Sequence, residues 1–273
     1  MKKFILLGLI FLASSLKAQI NKVDHFFASS PKAETLFNLF KNKFGLPVDW
    51  DYKAWGDFSS GAVTLGNIAF EFVYYKGVSK TTFEGIALEP QQSVEEIKII
   101  LDDAKIVHDT IEPNTYVMKN GKLGGWSNMG LKNLLPSEAG LFICDYKNRE
   151  QISLYRKKSA DTLKNNNGGP LGVSFLKEIV IGSTNFSLNK KELARLPGIK
   201  ANKDNVYSFN DGPSIRLINS NINGFEKIVI KVSSLENAKK YLKSQNLLGN
   251  STANSVFIDT NSTDGLIIEL TDI

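Results

Sequence analysis

Two side chains in this 273-residue sequence are of types that could do chemistry together: His25, inside VDHFFASS, and Glu71, inside IAFEFVYY. An imidazole and a carboxylate are a start for a borderline or hard divalent ion, and the same pair can receive the polar end of an organic ligand. His25 is one of only two histidines, and by itself it reads as a strand histidine bonded to a backbone carbonyl or to Asp24. Glu71 changes that reading. A carboxylate flanked by Ala69, Phe70, Phe72 and Val73 is costly to bury without a partner, so the two are expected in one polar site. Aromatic residues crowd the neighbouring chain: Trp50, Tyr52, Trp55 and Phe58 precede GAVTLGN, and Trp126 sits in the glycine-rich GGWSNMG. They are either core or the stacking wall of a ligand pocket, with Trp126 on a flap over its mouth.

The elements that must position these residues repeat. Four times an apolar strand runs into a turn and then a helix. NKVDHFFASS leads to PKAETLFNLFKNKFG, with Ser30 as cap and Pro31 at the first helical position. FEGIALEP leads to SVEEIKIILDDAKI, where Ser93 and Glu96 form a capping box. LKEIVIGSTN leads to LNKKELARL, and FEKIVIKVSS to LENAKKYLKSQNLLG, capped by Ser234. Shorter strands are expected after each helix: GAVTLGN and IAFEFVYY, LFICDY and QISLYR, VYSF and SIRLINS, SVFIDT and LIIELTDI. The stretch KKSADTLKNNNGGP, rich in Asn and Gly and without apolar period, reads as a linker over residues 157–170. The expected fold class is α+β: four βαβββ modules paired into two cupped mixed sheets with helices outside, one domain over 19–156 and one over 171–273.

The opening MKKFILLGLIFLASSLKA has the layout of a secretory signal, so residues 1–18 are expected to be removed near Ala18 and the protein exported, to the periplasm or beyond. Without Lys2, Lys3 and Lys17 the 33 basic residues fall to 30 against 28 acids, a net charge near +2. Charge this balanced and interspersed offers no stripe for a phosphate backbone, so nucleic acid is not an expected partner. No stable membrane insertion is expected of the mature chain, since no later apolar run approaches the roughly 20 residues needed to span a bilayer. Cys144, the single cysteine, sits in LFICDY and reads as a small core residue. Neither a G-x-S-x-G elbow, a P-loop nor a dinucleotide fingerprint occurs, which removes serine-triad acyl transfer and nucleotide chemistry from consideration.

DHFFASSPKAETLFNLFKNKFGLP resembles the first strand and helix of the vicinal oxygen chelate superfamily, the glyoxalase, bleomycin-resistance and extradiol dioxygenase group, and SSGAVTLGNIAFEFV resembles its third and fourth strands. Spread over nearly the whole mature chain, this resemblance implies the βαβββ module and a metal ligand on the first and last strand of a module. It places His25 and Glu71 at those positions, with Glu71 as the candidate catalytic residue and a divalent ion as the implied cofactor. The second module offers Gly85 and Ser153 there. In the second half the matching residues are Glu178, Arg216, Lys227 and Glu269, two acids facing two cations in a degenerate copy. Two functions stay open: a metal-dependent lyase, isomerase or dioxygenase acting on a small oxygenated molecule, and a non-catalytic small-molecule binder.

Overall fold

The computed structural model describes residues 20–117, 121 and 123–273; the apolar leader expected over residues 1–18 lies outside them. In the first half the chain runs β1 (Ile20–Ser29), α1 (Ala33–Asn38), β2 (Val48–Ala54), β3 (Phe58–Thr64), β4 (Ala69–Tyr75), β5 (Thr82–Pro90), α2 (Val94–Asp103), β6 (Glu112–Val117), β7 (Leu123–Gly130), β8 (Gly140–Tyr146) and α3 (Arg149–Asn165). The second half runs β9 (Val173–Ser183), α4 (Phe186–Leu193), β10 (Lys200–Ala201), β11 (Val206–Ser208), β12 (Ser214–Asn219), β13 (Gly224–Val232), α5 (Leu235–Ser244), β14 (Leu248–Ser251), β15 (Val256–Ile258) and β16 (Ile268–Asp272).

Each half is one eight-stranded mixed sheet, ordered β2-β3-β4-β1-β5-β8-β7-β6 and β10-β11-β12-β9-β13-β16-β15-β14. The paired first strands, β1 with β5 and β9 with β13, are antiparallel at the centre, and the last strand of each module lies parallel to its own first strand. These are four βαβββ modules in two cups. Strand alternation assigns the two faces. Phe26 stacks on Phe70 at 4.3 Å, and Phe40 meets Phe70 and Phe72 at 5.2 and 4.9 Å on the helix side, while His25 and Phe27 are left to the concave side. Full burial of each such ring is worth about 1.5–3 kcal/mol. The capping box Ser93–Glu96 forms at the start of α2, and Ser234 caps α5. At α1 the Ser30 hydroxyl accepts the Lys32 N–H instead, and the helix runs on into a π turn over Leu39–Lys43.

Three segments differ from expectation. QISLYR is not a strand but lies within α3, and that helix continues to Asn165, through most of the stretch read as a linker. Only Ser159 and Leu163 of α3 are buried; its contacts are mainly polar, so no apolar stripe announces it. The loop read around GGWSNMG is the hairpin β6–β7. VDWDYKA forms the edge strand β2, completing the three strands that the βαβββ module requires after α1.

The halves are knit by backbone-like contacts. The Asn67 amide donates to Leu176 O and accepts from Leu176 N–H, both at 2.9 Å. Thr81 and Lys32 reach Asp264 across the same boundary. No helix among the described residues is long and apolar enough to cross a membrane.

Candidate functional site

β1 and β5 lose register between Val23, opposite Leu88, and His25, opposite Ala87. Such a bulge places two consecutive side chains on one face, and Asp24 accordingly joins His25 inside the cup. His25 Nδ1 donates to Asp24 Oδ2 at 2.8 Å. Asp24 Oδ2 also accepts from the Tyr146 hydroxyl at 2.8 Å, and Oδ1 accepts from Arg156, whose other guanidinium nitrogen donates to Tyr146 at 3.0 Å. Burial pushes the Asp24 carboxyl upward, but Arg156, His25 and Lys22 together outweigh it and hold it well below the usual carboxylate range. Burial raises the Tyr146 phenol, with the Asp24 charge adding to it, so Tyr146 remains a donor.

This inner network fixes the outer geometry. With Nδ1 donating to Asp24, the imidazole turns Nε2 toward Glu71, whose Oε2 lies 3.6 Å away. At that separation the two atoms can be bridged by a proton on Nε2 or by the O–H or N–H of a bound molecule. Trp50 and Phe142 pack edge-on to the imidazole at 6.2 and 5.8 Å. His25 is 7% exposed and the Glu71 side chain 12%.

A metal ion fits this donor set poorly. Phe26 faces Ile86 across the centre of the sheet, and a two-fold through that pair exchanges His25 with Gly85 and Phe27 with Ala87. Glu71 lies beside Phe27 and Phe142 lies beside Ala87, so the fourth inward position is Phe142. Ser153, assigned there from sequence, is on α3 instead. The cup therefore offers His25, Glu71, a glycine and a phenylalanine, and no group of three His, Cys, Asp or Glu among the described residues is placed to hold an ion. A site of one or two further protein ligands would be needed.

The aromatic residues divide. Trp50 lies beside His25 and donates to Ser60 Oγ at 3.3 Å. Trp55 and Trp126 meet at 6.1 Å, with Tyr116 at 5.6 and 6.0 Å from them, joining the β2 and β6–β7 edges of the curled sheet. Trp126 is thus a strand residue opposite Tyr146, not a flap. Tyr52 packs against Phe37 on the helix side, away from the cup. Phe58 opens β3 opposite Tyr75, four residues along the strand from Ala62, the partner of Glu71.

In the second cup Arg216 Nε donates to Glu178 at 2.8 Å and Lys227 Nζ to Glu269 at 2.6 Å, all four on one face. The hydrogen bond to Glu178 raises the Arg216 pKa further. Buried Cys144 has its thiol pushed well up by burial.

Sequence reasoning passed over Arg156, Tyr146, Phe142 and Asp49. Asp49 is half-buried against α3, its Oδ1 buried and unbonded, as is Oδ1 of the cup residue Asn128. Burial outweighs the Ser159 hydrogen bond and the Arg156 charge and pushes the Asp49 carboxyl up to about 6. A folded-state pKa above the unfolded 3.8 favours the fold below pH 3.8, and that contribution is lost as pH rises through about 6. Asp49→Asn is expected to be more stable than wild type by roughly 2–3 kcal/mol at pH 7.5, the advantage vanishing near pH 4. Urea melts across that range measure it; a gap independent of pH would contradict the assignment.

No protein-family model matches this chain, and no curated protein matches it in sequence. Solved structures do match in fold. A hypothetical protein from Staphylococcus aureus superposes with a TM-score of 0.64 at 13% identity, covering 93% of this chain and 100% of its own. The Mn(II)-bound glyoxalase from Novosphingobium aromaticivorans gives 0.56 at 11% identity, covering 93% and 83%. Homoprotocatechuate 2,3-dioxygenase from Arthrobacter globiformis gives 0.57 at 10%, covering 93% and 80%. The fold is therefore the glyoxalase and extradiol dioxygenase type, in a four-module chain whose inward positions differ between its two halves.

Proposed function

We propose that this protein is an exported small-molecule binder on the glyoxalase-like fold, whose His25–Glu71 pair receives a hydroxyl group of an organic ligand. The carrying observation is His25 Nε2 facing Glu71 Oε2 across 3.6 Å, with glycine and phenylalanine at the remaining inward positions. A ligand hydroxyl bridges Nε2 and the Glu71 carboxylate, Trp50 and Phe142 supply apolar contact, and the Asp24–Tyr146–Arg156 network holds the imidazole ring in place through Nδ1. The fold neighbours that are metal enzymes favour the other reading, a metal-dependent lyase, isomerase or dioxygenase with Glu71 as catalytic group, and the experiment separates the two.

The test is metal analysis of protein purified without chelator, followed by calorimetric titration with catechol. Expected is far less than one Mn, Fe or Zn per chain, with catechol binding weakened roughly tenfold by His25→Ala, the value of one hydrogen bond, and unchanged circular dichroism. About one tightly held ion per chain would replace this reading with the enzyme. Export is tested separately, by the mass of the mature chain and by cell fractionation.

A further inference from the structure

The first cup is closed at one end. Arg156 reaches Asp24 near the start of β1, Ser159 reaches Val48 O at the start of β2, and Arg149 reaches Gln91 O and Gln92 O just after β5. All these points lie at the same end of the sheet, so α3 caps it. At the opposite end β8 begins, and there the cup also meets α4 of the second half. A groove of about 650 Å³ runs along this seam, with Gly130, Gly140 and Phe142 on the cup side and Thr184, Leu188 and Asn189 on the other. That volume suits a drug-sized organic molecule. Phe142 is the shared wall: it lines the groove and packs on the His25 ring at 5.8 Å.

The lining specifies what the groove accepts. Its one charged side chain is Lys132, neutralised by Asp109 at 2.7 Å. A charged ligand would lose its hydration and find no counter-charge. The polar lining is otherwise neutral, with the amides of Asn133, Asn185, Asn189 and Asn223 prominent. Asn189 is 7% exposed and lines the groove; its Oδ1 accepts from Ser183 at 2.8 Å, so the polar group it turns to a ligand is the amide NH2, a donor. Leu131, Leu135, Leu141 and Leu188 supply apolar surface.

We propose that this seam is a binding groove for an uncharged, oxygen-rich small molecule with an apolar body, in which Asn189 donates to a ligand oxygen and the inner end rests on Phe142. The proposal deepens the reading of the His25–Glu71 pair as a ligand site, on which only its inner end rests.

Full-length protein is titrated calorimetrically with 4-nitrophenyl β-glucopyranoside and, separately, with 4-nitrophenyl phosphate. The glucoside is expected to bind at least about tenfold more tightly than the phosphate, since one unmatched buried charge costs more than a neutral hydrogen bond contributes. Leu188→Trp, made at a position 49% exposed on α4 and so compatible with folding, is expected to weaken the glucoside at least about tenfold by filling the groove, one lost set of contacts of this size. Asn189→Leu should weaken it by a similar factor; if that variant proves unfolded, Leu188→Trp decides alone. No glucoside binding, equal binding of glucoside and phosphate, or indifference to Leu188→Trp overturns the groove. Loss in Leu188→Trp with no change in His25→Ala keeps the groove and removes the polar pair from the ligand site; loss of catechol binding in His25→Ala with the glucoside never binding does the reverse.

Discussion

Arg156→Met is expected to destabilise the protein by about 3–5 kcal/mol, the cost of leaving one partner of a buried ion pair uncompensated. Asp24 has no exposed side-chain surface, and Arg156 contributes the largest of the charges that offset its burial. His25 and Lys22, the latter 3.8 Å from Asp24 Oδ1 and 2.8 Å from Glu89, remain but lie less favourably. The pH profile distinguishes this from simple loss of packing. In the wild type the folded Asp24 pKa lies below its unfolded value, so its contribution is present above about pH 4 and fades as the solution is acidified further. The variant should lose most of that slope. Adding Asp24→Asn to Arg156→Met should recover part of the stability, because the stranded charge is then gone. A loss below about 1 kcal/mol, or an unaltered acid limb, would mean that α3 merely lies against the cup and that the network does not hold it there.

Phe142→Glu is expected to convert the cup into a metal site. Register places Phe142 where the pseudo-two-fold puts Glu71, and its ring already touches the His25 ring. A carboxylate there would stand with His25 and Glu71 as a third donor, enough for a divalent ion with open positions for water. The other vacant inward position is unsuitable, since a Cβ on Gly85 would lie 2.3 Å from Phe27 Cε1. Wild type should show no thermal shift with Mn(II) or Zn(II). The variant should retain about one ion per chain and melt higher when the metal is added, because an ion bound only to the folded state stabilises it by mass action. A folded variant that takes up no more metal than wild type would show that the pseudo-two-fold correspondence is wrong.

Local patterns carried much of the fold. Ser93 with Glu96, Ser234, and the apolar alternation in VDHFFASS, LKEIVIGS and FEKIVIKV each report only a few consecutive residues, and each formed the element its pattern implies. The repeat of these signals identified four modules because the unit is built from such short-range features. QISLYR misled for the converse reason. Its brief alternation fits a strand, but Arg149, Arg156 and Ser159 spend their polar groups on the cup, and a helix docked by hydrogen bonds and charges has no apolar stripe to betray it.

By itself the sequence determined the modules, their order, and the presence of His25 and Glu71 on first and last strands, since strand alternation, helix periodicity and caps are properties of neighbouring residues. The tertiary structure decided the chemistry around them. A bulge between Val23 and His25 swings Asp24 into the cup, a helix 132 residues along the chain brings Arg156 to it, β8 rather than QISLYR brings Phe142 to the fourth position, and the second half forms the groove against β8. Each depends on pairing register or docking between segments far apart in sequence, and a one-residue change of register reverses which face a side chain occupies.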